Sequence, residues 1–305
     1  MEEEHEQEKR NPLLDIYRKR YKALLVIPIL LLVLAVVQIS MQIASTGDFV
    51  NKGVTLKGGV TVTITSELAM DITSIESLLV SAFPEKDLAV RGLRIGGETR
   101  GVIIEGSGID YQEVLAAVER QTGPLTRDQY TVEEMGSSLG ESFFREIIIA
   151  ILIAFVFMAI VVFIYFRNIV PSSAVVLAAL SDILVTLAVF NLLGYRLSTA
   201  GIAAFLMLIG YSVDTNILLS TRVLKRKGGS VFDRVVGAMG TGLMMSATTL
   251  TAIVAALVFT QSEVIRQIMT ILLIGLIADL INTWVQNAGI LRMYLHKKHV
   301  QRENE

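Results

Sequence analysis

Six long apolar runs punctuate this chain, at 23–44, 147–166, 171–194, 198–220, 240–260 and 268–291. At about 1.5 Å per residue, a helical run of about 20 residues covers a hydrocarbon core of about 30 Å, so each run predicts a membrane-spanning helix. Four of the gaps are short, which makes consecutive helices antiparallel neighbours. The fifth gap, 45–146, has the polar and apolar alternation of a folded domain. Within it 60–66 alternates Val, Val and Ile with Thr, the period of a half-buried strand. Residues 71–82 open on Asp71 and repeat Ile72, Ile75, Leu78 and Leu79 at helical spacing. Strands are expected at 88–95 and 102–105 around a Gly96-Gly97 turn, a second helix capped by Asp110 at 110–121, and a last strand at 130–135. The order β-α-β-β-α-β is that of a ferredoxin-like sandwich.

Composition supports lipid as the solvent of the apolar runs. Of the 305 residues, 52% are hydrophobic, and the mean hydropathy is +0.58. The fold class that follows is an α-helical polytopic membrane protein with six transmembrane helices and one α+β domain between the first two. The first run carries Gln38, Met41 and Gln42 onward without a small-residue cleavage pattern, so it reads as a retained anchor. The net charge of −2 conceals segregation. Arg18, Lys19, Arg20 and Lys22 precede the first run, and Arg167 closes the second. Arg222, Lys225, Arg226 and Lys227 follow the fourth, and Arg292, Lys297 and Lys298 follow the sixth. With alternating helices all four groups fall on one side, which the positive-inside rule makes cytoplasmic, against Arg196 and Arg266 outside. Tyr17, Tyr21, Tyr165, Trp284 and Tyr294 are expected near the same inner boundary. The chain then divides into a cytoplasmic tail (1–22), the first helix (23–44), an extracytoplasmic domain (45–146), helices two to six (147–291) and a cytoplasmic tail (292–305) of a cytoplasmic-membrane protein. The acidic stretch 1–8, with His5, reads as a solvated tail.

Three carboxylates inside the runs carry the candidate chemistry: Asp182, Asp214 and Asp279. An ionised acid in hydrocarbon is costly, and the runs hold no Lys, Arg or His to pair with. At least one of the three is therefore expected to carry a proton or a bound cation; the alternative is that each only donates a hydrogen bond between helices. Asp214 is the favoured functional group, because GYSVDTN at 210–216 gathers Ser212, Thr215 and Asn216 around it, and Gly210 is expected to admit a neighbouring backbone. Gly275, Asp279, Asn282 and Gln286 share a face on the sixth helix. Gly242, Ser246 and Thr249 share one on the fifth, near Thr248 and Thr251. Three polar stripes predict a polar seam inside the bundle.

Enzymatic constellations are missing, and no cofactor or metal site is expected. His5, His296 and His299 all lie in the tails, and there is no cysteine. GVTLKGGV at 53–60 does not open a helix as a phosphate loop would, and reads as a turn before a strand. The basic cluster 222–227, followed by Gly228-Gly229, is a topogenic signal, with anionic-lipid contact as an addition. No nucleic-acid partner is expected.

One domain after the first of six helices, GVTLKGGV before its first strand, MGSSLGESF at 135–143 and GYSVDTNILL at 210–219 together resemble the SecF family of the SecDF protein-export complex, in its archaeal form. The resemblance covers nearly the whole chain. It implies pairing with a homologous SecD-like subunit in a twelve-helix assembly of the resistance-nodulation-division superfamily. It further implies assistance to polypeptides crossing a SecYEG-type channel, driven by a proton or cation gradient, with membrane lipids as surroundings. Two departures stand out. The motif acid of bacterial SecF aligns with Thr215, and its fifth-helix arginine would fall near Thr241. Coupling would therefore use Asp214 with Asp182 or Asp279. Two other readings remain: a cation-coupled exporter of lipids or small amphiphiles, and a structural subunit without transport chemistry.

Overall fold

The computed structural model describes residues 12–66, 70–84, 86–95, 98–226, 228–260 and 262–303. The acidic tail with His5, the Gly96-Gly97 turn and Lys227 lie outside them.

A short helix α1 (Pro12–Lys19) and one turn α2 (Tyr21–Leu24) lead into α3 (Val26–Thr46), which stops at Gly47 in the left-handed region (φ +79°). The GVTLKGGV segment is not only a turn: it forms a helical turn, α4 (Val54–Lys57), before β1 (Gly59–Thr65). Then follow α5 (Ile72–Ala82), β2 (Leu88–Ile95), β3 (Glu98–Gly106), α6 (Tyr111–Thr122) and β4 (Tyr130–Met135). Asp71 and Asp110 cap α5 and α6 by accepting from backbone N–H groups of the first turn.

The sheet runs β2-β3-β1-β4 with every pair antiparallel; Val62 stands opposite Ile104 on one side and Val132 on the other. Alternation along β1 turns Val60, Val62 and Ile64 toward Ile75, Leu79, Val114 and Val118 of the two helices. The other face, with Thr61, Thr63, Arg91, Ile103 and Glu105, looks at the bundle.

Among the described residues six helices are long and apolar enough to cross a membrane: Tyr21–Thr46, Ser137–Phe166, Ile169–Leu192, Thr199–Lys225, Val231–Phe259 and Glu263–Lys297. The second is α7, the third α8, the fourth α9 and the fifth α10; the sixth comprises α11 (Glu263–Ile281), a π-helical stretch Asn282–Asn287, and α12 (Ala288–Glu303). Most helices outrun their apolar cores because helical hydrogen bonding continues into polar flanks. α7, for example, begins at Ser137, inside the stretch expected to belong to the domain. The most apolar window of α8 is 61% buried and that of α7 only 6%, so α8 is central and α7 peripheral.

The two motifs nearest the domain boundary pack on each other. A Cβ on Gly58 (φ +84°) would lie 2.3 Å from the Cα of Ser137, and one on Gly140 would lie 2.9 Å from the backbone N of Gly58. Only glycine allows α4 and α7 to approach this closely. The segment before β1 is also stitched to the α8–α9 connection: Gly53 N–H donates to Leu197 O and Leu197 N–H to Asn51 O, both at 2.7 Å.

Candidate functional site

Asp182 of α8 and Asp279 of α11 are both fully buried at the bundle centre, where α9 and the π-helical stretch supply a hydrogen-bond partner to each. Ser212 Oγ donates to Asp182 Oδ2 at 2.5 Å and Asn282 Nδ2 to Asp182 Oδ1 at 2.7 Å. Thr215 Oγ1 lies 3.0 Å from both carboxyl oxygens of Asp279, and Thr283 Oγ1 donates to Asp279 Oδ1 at 2.8 Å. Below them Asn287 Nδ2 donates to Asn216 Oδ1 at 2.6 Å, and Gln286 Nε2 to Ser181 Oγ at 3.3 Å.

Helical spacing explains which groups meet. Ser212, Thr215 and Asn216 stand at i, i+3 and i+4 and form one face of α9. Asp214 is two residues from both Ser212 and Asn216, which turns it about 200° away. It is exposed on the outside of α9, so it does not join the other two acids, contrary to the sequence reading. Gly210 is exposed as well, and nothing lies within 4 Å of a Cβ placed there, so no backbone comes close.

The fifth helix also departs from expectation. Thr249 bonds its own helix at Met245 O, and Ser246 Oγ is buried with no hydrogen-bond partner. Gly242 makes room for a ring: a Cβ there would lie 2.1 Å from Trp284 Cζ2. Trp284 is accordingly 4% exposed and packs inside the bundle instead of anchoring at the membrane boundary. The third polar wall comes from α8, through Ser181 and Asp182. Sequence reasoning missed Ser181, Thr283 and Asn287; Thr283 was legible as the i+4 neighbour of Asp279.

The seam is rich in acceptors. Its hydroxyl and amide donors are committed, while Asn282 Oδ1 and Asn287 Oδ1 are buried without a donor. Among the described residues no group of three His, Cys, Asp or Glu side chains is placed to hold a metal ion. The two carboxyl groups thus sit in a dry place among hydroxyl and amide partners, with no cationic side chain among the described residues bonded to either. The π-helical stretch begins three residues after Asp279, and such stretches concentrate at working sites.

A second polar cluster joins the sheet to the end of the bundle nearest it. Arg196 Nη2 reaches Asp87 Oδ1 at 2.7 Å, and Lys57 pairs with the same carboxylate. Arg91 Nη2 reaches Glu105 Oε1 at 2.5 Å, with Arg196 Nε at 3.7 Å from the other oxygen. Arg91 and Glu105 help enclose a cavity of about 70 Å³ with Ser198, Glu263 and Gln267 of the bundle. Burial works to raise the Asp87 carboxyl, but the Lys57 and Arg196 contacts outweigh it and hold it below the ordinary carboxylate value.

Comparison with known proteins is consistent across the chain. Residues 114–297 match the family described as protein export membrane protein SecD/SecF, C-terminal. The protein-export membrane protein SecF of Methanocaldococcus jannaschii is 39% identical over 91% of this chain and 96% of its own length. Those of Methanolacinia petrolearia and Pyrococcus furiosus are 40% and 37% identical, over 93% and 91% of this chain and 97% and 92% of theirs. The crystal structure of SecDF from Thermus thermophilus, a translocon-associated membrane protein, superposes with a TM-score of 0.73 over 95% of this chain at 20% identity, and the match spans 39% of that longer chain.

Proposed function

We infer a role in protein export from one premise: the chain belongs to the SecD/SecF family of protein-export membrane proteins. It acts as an accessory subunit of the Sec machinery, beside a SecD-like partner, and assists polypeptides leaving a SecYEG-type channel. The domain of β1 to β4, which we read as ferredoxin-like, lies outside the cell, with both termini in the cytoplasm, as the distribution of Lys and Arg supports. The exposed side of α9 with Gly210 and Asp214, next to the sparsely covered α10, is the surface the partner's helices cover.

The observation that carries the coupling step is the buried Asp182–Asp279 pair with neutral partners only. Two carboxylates bracketed by the same helices, away from water and with no cationic side chain bonded to either, cannot both stay ionised, so the pair holds one exchangeable proton or a small cation. Its loss leaves two charges repelling each other, and re-pairing of Thr215, Thr283 and Asn282 shifts α9 against the π-helical stretch. The seam thereby converts cation movement into helix movement, which the glycine joint of α4 and α7 passes to the external domain.

Export of a secreted precursor, measured with Asp182→Asn and Asp279→Asn in cells carrying the native partner, tests this. Each should slow export severalfold while the assembled complex is recovered in normal amount. Unchanged export with both variants would end the coupling role, and normal export with loss of resistance to small amphiphiles would favour the exporter reading. A pull-down of the wild-type chain that yields neither a SecD-like protein nor channel subunits would end the export role itself.

A further inference from the structure

Where the N-terminal ends of the first and fifth spans, at Tyr21 and Val231, meet the C-terminal part of the sixth, the excess of Lys and Arg marks the end of the bundle that the positive-inside rule sets at the headgroups. Here Arg18, Tyr21, Ser230, Phe232, Arg292 and His296 line a cavity of about 350 Å³.

Its floor is rigid. Arg292, 9% exposed, donates from Nη1 to Tyr17 O at 2.9 Å and from Nη2 to Arg18 O at 2.8 Å, closing the carbonyl end of α1. Its guanidinium lies 4.0 Å from the centre of the Tyr21 ring, 5.4 Å from that of Phe232 and 5.6 Å from that of Tyr17. Tyr17 Oη donates to Trp284 O at 2.5 Å, so α1 is pinned to the bundle by two residues in succession. Arg18, exposed, is thereby carried to the rim of the cavity, 5.5 Å from the centre of the Phe232 ring.

The charge balance favours an anion. The nearby carboxylate of Asp233 is engaged by the N–H and hydroxyl of Ser230, in the capping box that starts α10. Asp233 also feels the charge of Arg18, but among the described residues two guanidinium groups and no carboxylate line the cavity itself. Immediately toward the membrane interior the surface turns apolar: Val26, Ile29, Leu30 and Val33 of α3 are all about half exposed. A cationic rim above an open apolar stripe matches an amphiphile better than a free ion.

We propose that this cavity binds the phosphate group of an anionic membrane phospholipid, with Arg18 as the direct contact and Arg292 as the positioning residue that holds α1 over it. The acyl chain lies along the exposed stripe of α3. Because Tyr17 is bonded to Trp284, within the π-helical stretch that follows Asp279, occupancy of the cavity bears on the helix that carries the seam. The site does not depend on the export reading.

Native mass spectrometry of the full chain in detergent, with phosphatidylglycerol or phosphatidylcholine added, tests the proposal. One phosphatidylglycerol should stay bound per chain and phosphatidylcholine should not; Arg18→Gln should lower retention severalfold, and Arg226→Gln, an exposed basic residue elsewhere on the same side, should not. Emission from Trp284, the chain's single tryptophan, should be unchanged by Arg18→Gln, which certifies the fold. Equal retention of the two lipids would overturn the proposal, as would equal losses in the two variants, the sign of diffuse attraction. Displacement of the lipid by millimolar inorganic phosphate would also overturn it, by assigning the cavity to a soluble anion.

Discussion

Two clusters of acidic side chains in this molecule have opposite surroundings. Beneath the sheet Asp87 and Glu105 meet Lys57, Arg91 and Arg196, so charge is balanced by charge. At the bundle centre Asp182 and Asp279 meet only hydroxyls and amides. Fixed countercharges make a joint whose strength is set by geometry and salt. Neutral donors leave the carboxyl charge uncompensated, so under the proposed coupling the seam is the place that changes state.

The largest effect should come from removing acceptors at the seam. Asp182→Leu leaves the Ser212 hydroxyl proton and Asn282 Nδ2 buried without an acceptor, a cost of about 4 kcal/mol, while Asp182→Asn should cost less than about 1 kcal/mol because it keeps an acceptor. Thermal unfolding in lipid would measure the pair, and equal losses would mean that the seam depends on charge instead of hydrogen bonding.

Next comes the glycine joint. Gly58→Ala forces a Cβ against the Ser137 backbone from a positive φ, which should destabilise by about 3 kcal/mol and loosen the domain from α7. Hydrogen exchange over Gly59–Thr65 would report it, and unchanged protection would remove the joint from the comparison.

Arg196→Gln should cost only about 1 kcal/mol, since Lys57 and Arg91 still serve the two acids. That loss should shrink as salt rises, whereas the seam variants should not respond to salt.

The smallest effect is in acid. The folded Asp87 carboxyl is held below its ordinary value, so its contribution is complete above about pH 4 and is lost as pH falls through the folded value. Asp87→Asn should weaken the docking of the domain near neutrality and remove its acid dependence, so that variant and wild type converge as pH falls through the folded value. A steeper acid response in the variant would reverse the sign of the argument.

Much of this was legible from the sequence. Hydropathy located the six apolar cores, period-two alternation located β1, and Asp71 and Asp110 announced their helices, because each signal is read within a few neighbouring residues. The faces of α9 were also legible in retrospect, since Ser212, Thr215 and Asn216 share a helical face that Asp214 cannot join. The rotation of α10 was not: its polar residues bond their own backbone, and Gly242 serves the ring of a tryptophan many residues away in sequence. Arg196 looked like a misplaced charge in an outer loop until the fold brought Asp87 to it.

By itself the sequence determined that six helices are long and apolar enough to cross a membrane and that three acids lie within those apolar runs. Tertiary structure alone decided that Asp182 and Asp279 are the pair, that Asp214 faces outward, and that the third polar wall is α8 and not α10. The physical reason is that hydropathy and capping act along the chain. Which sides of two helices meet is decided by side chains that pack across them, and those partners are distant in sequence.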